Sequence, residues 1–135
     1  RAVTMGKIAD ILSARGDLDE ALRIRKEELL PVFERLGDDD GIAATLWNVA
    51  LIELTRERFD DAMPRMGEAY AIFLRLGGAE GIAVIGAALG QILAAGEETR
   101  GQAREILQRS VATFRRMGRE SEARDVEEII AKLKL

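Results

Sequence analysis

Acidic side chains are frequent in this 135-residue chain, but their spacing does not form a catalytic pair. Neighbouring carboxylates occur at Glu27/Glu28 and at Glu127/Glu128, and consecutive residues of a helix point in different directions. The chain contains no His and no Cys, which excludes His-based proton transfer, thiol chemistry, disulfides and the usual zinc sites. We therefore predict a protein that is not an enzyme, with no catalytic residues, no metal site and no cofactor.

Two short segments have the composition of ligand-binding loops but not their spacing. Residues 38–41 (DDDG) offer oxygen ligands for calcium, yet no bidentate Glu follows at the required position. Acids at the positive end of a helix dipole explain this run, so we interpret it as a helix cap. Residues 77–81 (GGAEG) lack the Lys-Ser/Thr pair and the preceding strand of a phosphate-binding loop.

Basic residues are concentrated near the end of a chain whose net charge is −4. Acidic neighbours at Glu120, Glu122 and Asp125 offset this cluster, so an ion-paired, solvated surface is favoured over a nucleic-acid site. The basic residues are Arg115, Arg116, Arg119 and Arg124. The most apolar stretch, 82–95, is shorter than the roughly 18 residues that a membrane span requires. We predict no nucleic-acid partner, no membrane partner and, since no signal peptide is visible, a cytoplasmic location.

Several segments recur along the chain at a spacing of roughly 40 residues, the signature of a repeat protein. The recurring segments are 17–21 and 58–62; 33–37, 73–77 and 114–118; and 41–43 and 81–83. The first residues match the same register, because Ile8, Ala9 and Ile11 correspond to Val49, Ala50 and Ile52. We predict a single array of three repeats (1–37, 42–77 and 82–118) with a capping helix at 120–135, as a fragment of a longer protein.

Each repeat is predicted to contain two helices, because apolar residues recur at helical spacing and each second helix ends at a glycine. The last helix is expected to cover the open end of the stack with a charged outer face. Pro31 lies mid-helix and should bend its helix, whereas Pro64 lies near a first turn and is tolerated. The predicted helices are Thr4–Ala14, Leu18–Leu36, Ala43–Thr55, Asp60–Leu76, Ala83–Ala95, Gly101–Met117 and Ser121–Lys134.

This pattern resembles the tetratricopeptide repeat in its long form, as in kinesin light chains and many bacterial signalling proteins. The matching residues are the small residues Ala9, Ala50 and Gly90, the alanines Ala21, Ala62 and Ala103, and the Leu-Gly ends of the second helices. The resemblance implies an all-α, right-handed α-solenoid of three antiparallel helix pairs, whose first helices line a concave face. Glu57, where the turn usually has Gly, and the irregular turn at 96–99 indicate locally altered turns.

The resemblance also places a set of residues on the concave, ligand-binding face: Lys7, Asp10, Trp47, Asn48, Leu51, Ala88 and Gln91. Asn48 falls where such repeats hydrogen-bond a peptide backbone, since an amide both donates and accepts. Trp47, the only Trp, is suited to anchor an interface; alternatively, it fills space against a neighbouring helix. Gly6 and Val84 stand where carboxylate-clamping repeats carry Lys and Arg, which argues against a C-terminal carboxylate as the ligand.

The repeat pattern and the predicted concave face are compatible with three functions. The first is a non-catalytic scaffold that binds a protein or peptide in the concave groove. The second is an intramolecular sensor array that restrains an attached domain of a larger bacterial signalling NTPase. The third is self-association into a homo-oligomer through apolar surface around Ile8 and Leu12.

Overall fold

The computed structural model describes the backbone of residues 2–135 and the side chains from Met5 onward. Within this range the chain forms seven helices, one short 3₁₀ turn (Glu97–Thr99) and no strand, which confirms the predicted all-α fold. The helices are α1 (Ala2–Ala14), α2 (18–36), α3 (Asp39–Thr55), α4 (Phe59–Leu76), α5 (Ala79–Leu93), α6 (Arg100–Arg116) and α7 (Glu120–Lys132). The chain divides into two compact units, Arg1–Ile72 and Phe73–Leu135.

The first helices of the second and third repeats begin one turn earlier than predicted. The carboxylate of Asp38 accepts a hydrogen bond from the backbone N–H of Gly41 at 3.0 Å, so α3 begins at Asp39 and not at Ala43. The capping interpretation of this acidic run is therefore confirmed. By the same register α5 begins at Ala79 rather than at Ala83.

Two predicted helix ends were also wrong. α5 stops at Leu93, before the predicted Ala95, because the 3₁₀ turn intervenes before α6 begins. The Thr99 hydroxyl donates to the backbone carbonyl of Leu93 at 2.5 Å and fixes this turn. α7 covers 120–132 instead of 121–134.

The helix that contains Pro31 changes its hydrogen-bond pattern along its length. Leu18–Arg23 and Leu30–Leu36 are α-helical, whereas Ile24–Leu29 between them is π-helical. Proline has no N–H to donate and its ring crowds the carbonyl one turn back, and a widened turn before it relieves both problems. Pro31 was expected to bend its helix, and the structure shows a π-helical segment immediately upstream of it; the bend itself stays a prediction. Pro64 lies inside α4, beyond the first turn where it was expected, and α4 remains α-helical.

One cluster of buried residues in the first unit lies where α1 packs on α2. Ala9, Ile24 and Leu29 are buried, and Met5, Leu12 and Phe33 pack around them. The alanine at position 9 has no exposed surface, which is consistent with a close approach of the two helices.

α3 also packs against α2. At one end, a Cβ built on Gly41 would lie 2.5 Å from the ring of Phe33, so the ring rests on glycine backbone. At the other end, Arg56 pairs with Asp19 at 2.7 Å. A partly buried ion pair joins α3 to α4, because the carboxylate of Glu53, only 4% exposed, lies 2.9 Å from the guanidinium of Arg65.

The turn between α3 and α4 keeps glycine-like geometry although it lacks glycine. Glu57 adopts a φ of 58°, in the left-handed region that Gly16 occupies with a φ of 84°. The next N–H donates to the carbonyl of Glu53 at 2.9 Å, as the N–H after Gly16 donates to Leu12 at 2.8 Å. The prediction of an altered turn at Glu57 was therefore wrong. The irregular turn predicted at 96–99 is present as the 3₁₀ turn.

In the second unit, α5 packs closely on α6. A Cβ on Gly90 would lie 2.5 Å from Cγ of the fully buried Leu107. The buried hydroxyl of Ser110 donates to the backbone carbonyl of Ala83 at 2.7 Å. Most of the apolar stretch at 82–95 therefore belongs to α5, a helix that packs against α6. Among the described residues, no helix has the length and apolarity needed to cross a membrane.

Three of the four arginines in the predicted basic cluster, Arg115, Arg119 and Arg124, are ion-paired, whereas Arg116 donates a hydrogen bond to the hydroxyl of Thr113. Arg115 lies 2.5 Å from Glu127 and 3.0 Å from Glu120, and Arg119 pairs with Glu122 and with Glu80. Hydrogen bonds from Arg119 hold the pKa of the Glu122 carboxyl below its usual value. These contacts tie α5, α6 and α7 together on a solvated surface.

Candidate functional site

A cavity of about 310 Å³ lies in the first unit, where α1, α2 and α3 meet. Three of the predicted ligand-binding residues line it: Lys7 and Asp10 from α1, and Asn48 from α3. Its remaining walls are mostly apolar or small, from Gly6, Leu29, Phe33, Gly41, Ala44 and Thr45. The lining thus combines small and apolar walls with several polar side chains, so it offers both apolar contact and hydrogen-bonding groups to a ligand.

Arg25 of α2 is the buried cation of this cavity. Its side chain is 6% exposed, and its two terminal nitrogens donate to Asp10 at 2.6 Å and to Ser13 at 2.9 Å. The partners on α1 therefore hold the guanidinium in one orientation and compensate its burial. Asp10, predicted as a ligand contact, is already the partner of a buried charge.

Lys7 and Asn48 supply the polar groups that remain open to a ligand. Lys7 is exposed and makes no ion pair with any described residue. Asn48 is half-buried, and its amide can both donate and accept. The cavity thus combines a free ammonium with an amide, a pairing suited to a peptide backbone and an acidic side chain.

Trp47 and Leu51 lie on the same side of α3 as the cavity residues Ala44 and Asn48. Ala44, Trp47, Asn48 and Leu51 follow one another at helical spacing, so they form one stripe along the helix. Trp47 is half-buried and Leu51 is 40% exposed. An indole with one part packed and one part accessible is suited to cover an apolar ligand side chain.

Ala88 and Gln91 lie on α5, in the second unit. Ala88 is half-buried, and the exposed amide of Gln91 donates to the backbone carbonyl of Ala87 at 2.9 Å. Their participation in one surface with the cavity stays a prediction.

Arg25 is the residue that sequence reasoning missed. It follows Ala21 and Ile24 on the side of α2 that faces the core, so a charge interrupts an apolar stripe. A charged residue at a buried position needs a partner of opposite charge, and this requirement could have identified Arg25.

A helical-repeat protein with a cavity between its first helices is the class that this fold and site define. Comparison with protein families agrees, since a family model described as tetratricopeptide repeat matches residues 1–75. The chain belongs to the tetratricopeptide repeat family. No curated protein and no solved structure matches it. Repeats of this family generally mediate protein–protein interactions.

Proposed function

We propose that this chain is a non-catalytic scaffold that binds a segment of another protein across α1 and α3. The observation that carries the proposal is the cavity that Lys7, Asp10 and Asn48 share above the buried Arg25. Asn48 would pair with the peptide backbone of the ligand. Lys7 would attract an acidic side chain, and the stripe of Trp47 and Leu51 would cover an apolar one.

Charge in the cavity favours an acidic over a basic ligand segment. The cavity is lined by two cations, Lys7 and Arg25, and by one carboxylate, Asp10. That carboxylate already accepts a hydrogen bond from Arg25. A basic segment would have to compete with Arg25 for Asp10 and would leave a buried guanidinium short of a partner. An acidic segment meets an unpaired ammonium instead.

A crosslinked pull-down from a lysate of the source cell tests the proposal. We expect a partner that the wild-type chain captures and that the Trp47→Ala/Asn48→Ala variant loses, because the variant removes both the aromatic surface and the amide. Alanine substitutions at such anchors typically cost about 2 kcal/mol or more of binding free energy.

A matched control is available in Phe59→Ala. Phe59 is an aromatic residue with 47% exposure that does not line the cavity, so this variant should keep the partner. Circular dichroism checks that all three proteins are equally helical. Equal capture by the wild type and the double variant would contradict binding at this site.

A further inference from the structure

α2 contains one residue more than α4 and α6 between two landmarks that all three helices share. The landmarks are a fully buried alanine near the start of the helix and a phenylalanine near its end. They lie 12 positions apart in α2 and 11 positions apart in α4 and α6. The pairs are Ala21 and Phe33, Ala62 and Phe73, and Ala103 and Phe114. α2 therefore carries a one-residue insertion relative to its counterparts.

Burial places the extra residue inside the π-helical segment Ile24–Leu29. The fourth residue after the alanine is buried in all three helices, and so is the fourth residue before the phenylalanine. These residues are Arg25, Met66 and Leu107 by the first count, and Leu29, Ala69 and Ser110 by the second. The insertion thus falls between Arg25 and Leu29, where a widened turn takes up one additional residue.

This register puts Arg25 at a position that the other two repeats fill with an apolar core residue. Its equivalents, Met66 and Leu107, have no exposed surface. Replacing a buried ion pair by well-packed apolar side chains is often neutral or stabilising, so the packing of the repeat does not require a charge here. Residues that break a packing rule of their own fold are expected mainly at functional sites.

The guanidinium of Arg25 keeps donors for a ligand. It carries five N–H groups, and among the described residues it donates to one oxygen of Asp10 and to the hydroxyl of Ser13. Arg25 also lines the cavity, together with the exposed Lys7. A planar fork of N–H donors matches the two oxygens of a carboxylate. The cavity therefore holds a buried group that can recognise an anion.

We propose that Arg25 selects an acidic side chain in the protein segment that the cavity binds. This selection rests on the proposed function and names the residue that sets its specificity. The carboxylate of the ligand accepts hydrogen bonds from the donors that Asp10 and Ser13 leave open, while Lys7 supplies a second positive charge. A neutral side chain at that place would forgo these charge-assisted bonds, and a basic one would be repelled.

Panning of a phage library of random short peptides tests this selection. The wild-type chain should enrich sequences with Asp or Glu at one fixed position. Arg25→Met, which places the residue type of Met66 at this position, should enrich sequences without that preference. Arg23→Met is the matched control, because Arg23 is an exposed arginine of the same helix that pairs with Glu20 and does not line the cavity. This control should keep the acidic preference.

A change on the ligand side tests the same contact in the unaltered chain. An enriched peptide is titrated beside a counterpart in which its acidic side chain is the corresponding amide. The amide should weaken binding to the wild type by roughly tenfold or more, and it should leave binding to Arg25→Met nearly unchanged.

Thermal denaturation separates selection from a role in the fold. Arg25→Met should melt at or above the wild-type temperature, because the side chain of Asp10 is 70% exposed and stays solvated without its partner. A lower melting temperature would assign Arg25 to the fold and overturn the proposal, as would an acidic preference that persists in this variant. Enrichment of peptides without an acidic residue would overturn the selection alone, whereas enrichment of no peptide would contradict the proposed function as well.

Discussion

Glu57 holds a backbone conformation that glycine adopts at the equivalent turn of the first repeat. A side chain at positive φ costs about 1–2 kcal/mol, because Cβ crowds the following carbonyl. The turn keeps this geometry because the hydrogen bond from Arg58 to Glu53 requires it. At this position the chain therefore stores local strain that the surrounding helices hold in place.

Glu57→Gly should raise the free energy of unfolding by about 0.5–1 kcal/mol, since the relief of strain exceeds the extra freedom of glycine in the unfolded chain. Chemical denaturation measures this. Gly16→Ala is the reciprocal control. Its Cβ would meet nothing within 4 Å, so the expected loss of stability reflects backbone strain alone. A destabilised Glu57→Gly variant would show that the carboxylate makes a compensating contact.

For single residues, the conformation of Glu57 and the ion pair of Arg25 could not be predicted from the sequence. The cap at Asp38 could be predicted because its partner, Gly41, lies three residues away on the same helix. The ion pair of Arg25 could not, because Asp10 and Ser13 belong to a different helix. The conformation of Glu57 was predicted wrongly because the intrinsic preference of a residue with a side chain disfavours it, while the turn hydrogen bond from Arg58 to Glu53 requires it.

At the level of whole helices, small residues set the distance between packed helix axes. Gly90 of α5 faces Leu107 of α6, whose side chain has no exposed surface. Gly90→Ala should lower the free energy of unfolding by about 1–3 kcal/mol, because the added Cβ overlaps Leu107 atoms at 2.5 and 2.6 Å. Thermal denaturation followed by circular dichroism measures the change.

Gly67→Ala provides the comparison for that variant. Gly67 lies inside α4, and a Cβ there meets nothing within 4 Å. Alanine should therefore stabilise this helix by about 0.5–1 kcal/mol through its higher helix propensity. Equal stability of the two alanine variants would contradict close packing of α5 on α6.

The helices themselves were largely predictable, whereas their irregularities were not. Helical spacing of apolar residues and terminal glycines identified every helix, and Gly37, Gly77 and Gly118 adopt the left-handed conformation expected of C-terminal caps. The π-helical segment Ile24–Leu29 depends on how the backbone relaxes around Pro31. The spacing of apolar residues does not predict whether that relaxation takes a π-helical or another form.

For the whole molecule, sequence repetition predicted the family and the class of fold, and the family match and the structure confirm them. The structure also shows which predicted residues lie together. Lys7, Asp10 and Asn48 line one cavity, with Trp47 and Leu51 on the adjoining stripe of α3. Repetition predicts equivalent positions but not the identity of a ligand, because the family shares its architecture and not its partners.

Binding of a protein segment against α1 and α3 is tested most directly by the fluorescence emission of Trp47. Trp47 is the only Trp of the chain, so its fluorescence reports this site alone. With the segment recovered by pull-down, prepared without Trp, we predict a saturable blue shift, because the ligand removes water from the half-exposed indole. Emission that stays unchanged while anisotropy of the labelled segment shows saturated binding would place the ligand elsewhere and contradict the account.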